Sequence, residues 1–431
     1  MTDKGDLPDT PAAGADSDAD AAIGGPTAAA PQVPLEHAPA DSVEFERGAG
    51  PLLTQEGKSQ GRIVWEQFRR HKAALIGGWI LVFMYLSAIF AGFLAPYGLN
   101  EYRRSPSAAF RPPTQVHWTD PDTGRLTRPF VYDVVETRDP VTRQRVYEES
   151  TDVRYPIKFF VHRPSQPYKI LGLFKSDLHL FGVDDPARVF LWGTNNLGKD
   201  LFSRVLYGGQ VSLTIGILAV WVAFFLGLLL GGIAGYYGGL VDDIIMRLVE
   251  VFAAIPGLFL LIVLASLLRD PNNPLAKAFG LQMTSAQTFL LTVIVLGFVG
   301  WGGLARVIRS LILSARELDY AAAAKALGAG ETRILWRHLL PSTASYVIVD
   351  LTLSIPGFIL AETGLSFLGL GPSELDTASW GLLLRDATAR GISIQFVPWL
   401  LIPGIPILFA VLCWNLLGDG LRDAFDPKKR R

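Results

Sequence analysis

Residues with the type and spacing that chemistry needs are sparse in this chain. A phosphate-cradling loop requires GxxxxGK[ST], in which backbone N–H groups and the lysine hold the phosphates. The only Gly-Lys-Ser/Thr triplet is Gly57-Lys58-Ser59, and the position that should hold the earlier glycine is Leu52. The triplet also lies in an Ala-, Pro- and Gly-rich stretch rather than after a strand. The chain is therefore not expected to bind ATP itself. Its six histidines form no HxxxH pair and its single cysteine, Cys413, can form no CxxC, so no metal site is expected. No Ser-His-acid or paired-carboxylate pattern stands out, and no enzyme chemistry is expected.

What remains are charges set against apolar sequence. Asp350 falls near the middle of an apolar run, where an ionisable group is costly and usually faces protein or water. It either lines a cavity or pairs with a partner subunit, or it makes a structural hydrogen bond within the bundle. Glu250 lies nearer a run's edge, where a pair with Arg247 at i, i+3 is expected. The stretch 320–341, YAAAAKALGAGETRILWRHLLP, places Lys325, Glu331, Arg333, Arg337 and His338 between two long apolar segments.

The elements that position these residues are membrane spans. Of the 431 residues, 50% are apolar, and the mean hydropathy is +0.30. A bilayer core needs about 20 apolar helical residues. Six segments qualify: Ala73–Ala95, Val211–Tyr236, Leu248–Leu268 with Pro256 inside it, Thr288–Ala305, Pro341–Ala361 and Val397–Gly418. The fold class expected is an all-α membrane protein of six transmembrane helices. Six spans place both termini on one side. The short flanks on that side, including Arg62, Arg69, Arg70, Lys72, Arg306, Arg309, Arg316 and the basic tail 427–431, carry 16 Lys or Arg. The opposite short loops carry 4, Arg269, Lys277, Arg385 and Arg390, so both termini are expected to be cytoplasmic. A net charge of −1 leaves no basic field for nucleic acid.

Residues 1–60 are rich in Ala, Pro, Gly and Asp, begin with an acidic stretch unlike a signal peptide, and are expected to be disordered. Residues 61–96 form the flank and first span. Residues 97–204 lie outside and carry β-like runs, Phe130–Val135, Gln144–Glu148 and Ile157–His162. The turn signals Asp120-Pro121-Asp122 and Asp139-Pro140 separate these runs. A small β-rich insertion between spans one and two is expected, held by apolar residues and by docking on the membrane domain. The alternative is a partly ordered loop. Residues 205–426 form the transmembrane core with spans two to six, and the polar element 314–341 lies between spans four and five.

That element has its own logic. From Ser314 to Leu327 there is no Gly or Pro, which favours a helix. Gly328 supplies a stop and Glu331–Leu340 a second helix, with its acid in the first turn. Two short helices around a turn, tied at both ends to spans, can either cap the bundle or insert their Ala-rich face into a groove of another protein.

The stretch resembles the cytoplasmic EAA loop of permease subunits of binding-protein-dependent ABC importers. That pattern is Glu-Ala-Ala, three residues, Gly, nine residues, then Ile-x-Leu-Pro. Here Ala322-Ala323-Ala324 precedes Gly328 at that spacing, and His338-Leu339-Leu340-Pro341 follows. Ala322 stands where the family often has Glu, and His338 where it often has Ile; Glu317 and Asp319 are nearby acids. Gly193-Thr194-Asn195-Asn196-Leu197-Gly198-Lys199-Asp200-Leu201-Phe202-Ser203-Arg204, Gly235-Tyr236-Tyr237-Gly238-Gly239 and Glu362-Thr363-Gly364-Leu365-Ser366-Phe367-Leu368-Gly369-Leu370-Gly371 are similar to the C-type permeases of oligopeptide and dipeptide importers. The likeness covers about residues 61–426.

The resemblance implies a type I ABC importer permease in a prokaryotic cell (inner) membrane. It implies a second permease subunit, commonly making a heterodimer, two ABC ATPase subunits and an extracytoplasmic peptide-binding protein. The ATPase-docking loop would comprise Glu317, Asp319, Ala322, Ala323, Ala324, Lys325, Gly328 and Pro341. No cofactor is implied in this chain, since ATP and Mg would be bound by the partner ATPases. Related permeases serve nickel, glutathione or oligosaccharides. From another class, an ion-coupled secondary transporter would favour internal repeats and several intramembrane acids, whereas one central acid and no repeat are found.

Overall fold

A computed structural model describes residues 59–99, 101, 109–138, 140, 145–170, 173–270, 272–274, 277, 284–371, 377–388 and 395–426. All but the last residues of the segment expected to be disordered, the basic tail 427–431, Asp139, Gln144 and Arg390 lie outside them. A charge-free apolar run in a bilayer must satisfy its backbone internally, so it becomes helix. Among the described residues five helical stretches are long and apolar enough to cross a membrane: Lys72–Ile89, Leu201–Tyr237, Ser285–Ala315, Ala344–Phe367 and Pro398–Phe425. The count reaches six if the bent pair Gly239–Ala254 and Gly257–Leu268 is one span.

That pair corrects a detail of the sequence reading. A single helix over 248–268 is not formed; the axis bends by 93° at Ile255 and Pro256. The proline ring disfavours helical backbone in the residue before it, and Ile255 is extended at φ −94°, ψ 127°. Pro356, by contrast, is carried inside Ala344–Phe367 without ending the helix. Helix Leu201–Tyr237 begins ten residues earlier than expected, because Asp200 caps it: its Oδ2 accepts from the Ser203 N–H at 2.8 Å.

The tightest packing joins Leu201–Tyr237 to Ser285–Ala315. Gly227, Gly231 and Gly235 recur every four residues on one face. A Cβ on Gly231 would lie 2.9 Å from Ala305 Cα, one on Gly235 2.9 Å from Ile312 Cβ, and one on Gly227 3.0 Å from Leu304 Cβ. Such small-residue stripes let helix backbones touch where lipid offers no hydrophobic driving force. On the other flank a Cβ on Gly77 of the first long helix would lie 3.0 Å from the Cys413 carbonyl of the last.

Between the first two long helices, the described residues of 117–182 form seven strands. β1 (His117–Thr119), β2 (Leu126–Arg138) and β3 (Arg145–Pro156) make an antiparallel sheet, in which Phe130 pairs with Pro156 and Arg138 with Arg145. β4 (Lys158–His162) pairs with β7 (Leu178–Gly182), and β5 (Tyr168–Ile170) with β6 (Phe174–Ser176). Val131, Val183, Ala187 and Val189 are buried between them. The strands dock on the helix ends through named bonds. His179 Nδ1 donates to the Ala95 carbonyl at 2.6 Å, and the Val189 N–H donates to Tyr97 Oη at 2.9 Å.

Replacing Gly231 by Leu should lower the thermal midpoint of the purified protein in nanodiscs, since overpacking costs about 1–3 kcal/mol or more. Gly303→Ala, whose Cβ meets nothing within 4 Å, should leave the midpoint unchanged.

Candidate functional site

The polar element between the third and fourth of the long helices is built outward from a pair of arginines. Helix Ser285–Ala315 ends at Arg316, whose N–H still donates to the Ile312 carbonyl. The Arg316 guanidinium turns back: Nη1 donates to the carbonyls of Gly235 at 3.3 Å and Tyr236 at 3.2 Å. These are terminal carbonyls of helix Leu201–Tyr237, where orphan acceptors and the helix dipole both favour a cation. About two turns deeper, Arg309 makes a two-pronged ion pair with Asp242 through Nε and Nη2. The polar element is thereby tied to the glycine-packed helix pair.

The sequence predicts an unbroken helix from Ser314 to Leu327. The chain instead opens at Leu318, which is extended at ψ 150°, and a short helix runs Asp319–Ala326. The break lets Ala321 join the buried cluster of Ile312, Ile334, Leu335, Leu339 and Val347. Gly328 takes φ +80°, the left-handed stop expected of it. A second helical leg runs Glu331–Ser342, with widened turns over Ile334–Leu339.

Burial divides the first leg. Ala321 is buried and Ala324 half-buried, while Ala322, Ala323, Lys325 and Gly328 are exposed. Leu318, Tyr320 and Trp336 are also exposed. Leu327 is 88% exposed, more than any other large apolar side chain among the described residues. Glu317 is exposed and accepts from Arg316 Nε at 3.0 Å; Asp319 is exposed in the first turn. Pro341 is exposed near the end of the second leg. Eight of the predicted site residues thus share one element, with small and apolar side chains turned outward.

Asp350 stands apart, in the next helix. Its Oδ1 accepts from Tyr346 Oη one turn earlier at 3.4 Å. The Arg247–Glu250 pair forms as expected, at 2.8 Å. A second intramembrane acid carries more of the packing than the sequence reading assigned to it. Glu362 is fully buried. Its two oxygens accept from Ser212 Oγ at 2.8 Å and Ser366 Oγ at 2.6 Å. Ser212 Oγ in turn accepts from the Trp380 N–H at 3.2 Å. Its signal was legible: an acid in an apolar run with a serine at i+4. The Asp242 and Arg316 contacts had no such signal, because each crosses about 70 to 80 residues of sequence.

Comparison with known proteins follows the same outline. Residues 227–431 match the family described as binding-protein-dependent transport system inner membrane component. Residues 59–113 match the N-terminal TM domain of oligopeptide transport permease C. The dipeptide transport system permease protein DppC of Bacillus subtilis is 30% identical over 369 residues, covering 85% of each chain. The oligopeptide transport system permease protein OppC of Haemophilus influenzae is 38% identical over 240 residues, 56% of this chain and 70% of that one. OppC of Bacillus subtilis is 34% identical over 260 residues, 59% of this chain and 78% of that one.

Asp242→Asn would leave the half-buried Arg309 guanidinium without its carboxylate. The variant is expected to lose about 1–2 kcal/mol. Amide exchange in 239–254 should rise while that in 72–89 does not, as followed by hydrogen–deuterium exchange.

Proposed function

The chain belongs to the binding-protein-dependent transport inner membrane components, and from that membership we propose that it is the permease subunit of an ABC importer for oligopeptides or dipeptides. One observation carries the coupling part of this reading. The element 314–341 is a helix–turn–helix fixed at both ends to long helices, with Ala322, Ala323, Lys325 and Leu327 facing out at the family's spacing to Gly328 and Pro341. A partner ATPase that receives this surface pushes, through Arg316 and the Arg309–Asp242 pair, on the helix pair 201–237 and 285–315. Two such ATPases bind ATP and Mg and hydrolyse the ATP, and no cofactor is assigned to this chain.

The permease has the type I importer fold with six spans. The bent pair 239–268 is the third span, both termini are cytoplasmic, and the β-rich segment 97–204 is an external module. It pairs with a second permease subunit, and an extracytoplasmic binding protein delivers the peptide. Asp350, with its Tyr346 partner on the same helix, lies along the translocation pathway or at the partner subunit. An ion-coupled carrier is the weaker reading, because Glu362 is already committed to two serine hydroxyls and Asp350 is then the one central acid left for an ion.

Purification under mild conditions is expected to bring down two P-loop ATPases whose activity rises with binding protein and peptide. Uptake that persists after those ATPase genes are deleted would overturn the proposal in favour of ion coupling. Identifying the ligand carried by the cognate binding protein separates peptides from nickel, glutathione or oligosaccharide. Within the complex, Gly328→Asp forces a side chain into left-handed backbone at a strain of about 1 kcal/mol. Nothing within 4 Å obstructs it, so insertion should be kept. Import should be lost while ATP hydrolysis continues; unimpaired import in this variant would remove the coupling role of the element.

A further inference from the structure

An apolar groove of about 630 Å³ lies between the end of the first long helix, with the helical turn 91–94 that follows it, and the β5–β6 ribbon. Phe83, Leu86, Phe90 and Leu94 wall it on the helix side, Ile170 and Leu178 on the strand side. The hydroxyls that reach the groove are bonded within the chain. Ser87 Oγ donates to the Met84 carbonyl at 2.8 Å, Tyr168 Oη donates to the Leu178 carbonyl at 2.7 Å, and Ser176 Oγ accepts from the Leu178 N–H at 3.3 Å. The walls therefore offer little to a polar ligand. Apolar surface continues past the groove. Leu173 and Phe174 are 76% and 69% exposed. Phe160 of β4 is exposed and held in left-handed backbone at φ +56°, with its ring 6.3 Å from that of Phe93 on the groove wall.

Depth and charge identify what surrounds this groove. Between Lys72 and Glu101 the sequence carries no charge. At 1.5 Å per helical residue, Phe83 and Leu86 stand about 17 and 21 Å beyond Lys72, inside a hydrocarbon core of about 30 Å. The ribbon wall that faces them therefore reaches hydrocarbon depth. A two-stranded ribbon is not stable alone in water. This one is held by Tyr168, whose ring packs so closely on Gly92 that a Cβ there would overlap it. Neighbouring residues of a strand point to opposite sides. Tyr168, Ile170 and Ser176 line the groove, so Lys169 and Lys175 lie on the other side of the ribbon, and they are direct cross-strand partners. Like charges placed opposite each other destabilise a hairpin. Both lysines are exposed, and among the described residues neither has an acidic partner. The acid nearest in sequence, Asp177, has its Oδ1 3.0 Å from His162 Nδ1. An apolar side at hydrocarbon depth, backed by a pair of cations, is the pattern of an element that lies in a membrane interface.

We propose that the β5–β6 ribbon is a lipid-binding element: the groove takes an acyl chain of an anionic phospholipid, and Lys169 and Lys175 engage phosphates of the same leaflet. The flexible stems of the two lysines carry their ammonium groups to the headgroup layer while the apolar side of the ribbon stays down. Phosphates between them relieve the repulsion that the cross-strand register imposes. The β-rich segment is then anchored to the leaflet beside the first long helix as well as to the helix ends. The inference rests on the chain spanning a membrane. It does not depend on which side the β-rich segment faces, or on what is transported.

The test uses phosphatidylglycerol with a diazirine in its acyl chain, and phosphatidylcholine with the same chain, in nanodiscs that hold the full-length protein with its co-purifying subunits. After illumination the labelled peptides are quantified by mass spectrometry. Phosphatidylglycerol is expected to label both 83–94 and 168–178, about tenfold more than phosphatidylcholine does. Lys169→Glu combined with Lys175→Glu should bring the two lipids level. Arg125→Glu combined with Arg128→Glu, at exposed positions beside and on β2, changes the charge of the β-rich segment equally and should keep the preference. Ile170→Asp, which sets a charge in the groove wall, should lower labelling by either lipid about tenfold. Equal labelling by both lipids in the wild type, or a preference that the arginine variants remove as well, overturns the proposal. So does labelling confined to 83–94. A photo-cross-link from benzoylphenylalanine at position 170 to a second permease subunit also overturns it, because the groove is then a subunit interface. Labelling is read without transport, so its outcome stands apart from that of the importer reading.

Discussion

The close approach of helix 201–237 to helix 285–315 is the constraint on which the rest depends. In lipid the two helices gain nothing by hiding apolar surface from water, so association must come from contact between backbones. Gly227, Gly231 and Gly235 allow it by having no Cβ where Leu304, Ala305 and Ile312 arrive. That registry brings Gly235 and Tyr236 under Arg316, and Asp242 under Arg309. The turn at Gly238, with φ +66°, then starts the next helix, Gly239–Ala254. The polar element 314–341 inherits its position from this chain of contacts.

At the opposite ends of the helices a second device does comparable work. Gly193 and Gly198 take φ +73° and +74°, which folds the segment before Leu201 into a compact turn. Asn195 Oδ1 accepts from the N–H groups of Leu197 and Lys199, and its Nδ2 donates to Asp386 at 3.0 Å. Thr194 takes the Trp399 indole N–H at 3.1 Å on its carbonyl. One short motif therefore joins the β-rich segment, the second long helix and the approach to the last one. The neighbouring Asp200 caps that helix, its Oδ2 accepting from the Ser203 N–H and Oγ.

The two acids within apolar helices show how differently the fold treats the same residue class. Glu362 is enclosed and receives a hydroxyl on each oxygen, which offsets the cost of burying it. It knits helix 201–237, helix 344–367 and the short helix Trp380–Arg385, capped by Ser379, into one unit. Asp350 has a single long bond from its own helix and stays half-exposed. The sequence pointed to Asp350 by its central place and passed over Glu362, because hydrophobic pattern reports depth along a helix but not what faces it.

Sequence alone determined the features that depend on local chain physics. The long apolar runs had to be helices, Gly328 had to stop one, and the short apolar runs and turn signals of 117–182 favoured strands. The spacing from Ala322 to Pro341 marked the candidate docking element before any contact was known. Boundaries were less legible. Asp200 extended one helix through a local cap on Ser203, and Leu318 broke another so that Ala321 could join Ile334, Leu335, Leu339 and Val347. Tertiary structure decided the bend at Pro256, which the same residue type at Pro356 does not produce. It also decided which alanines face outward, and the long-range bonds of Arg309, Arg316 and Glu362. These depend on groups meeting across 67 to 150 residues of chain, and only the packed arrangement of helices brings such residues within hydrogen-bond reach.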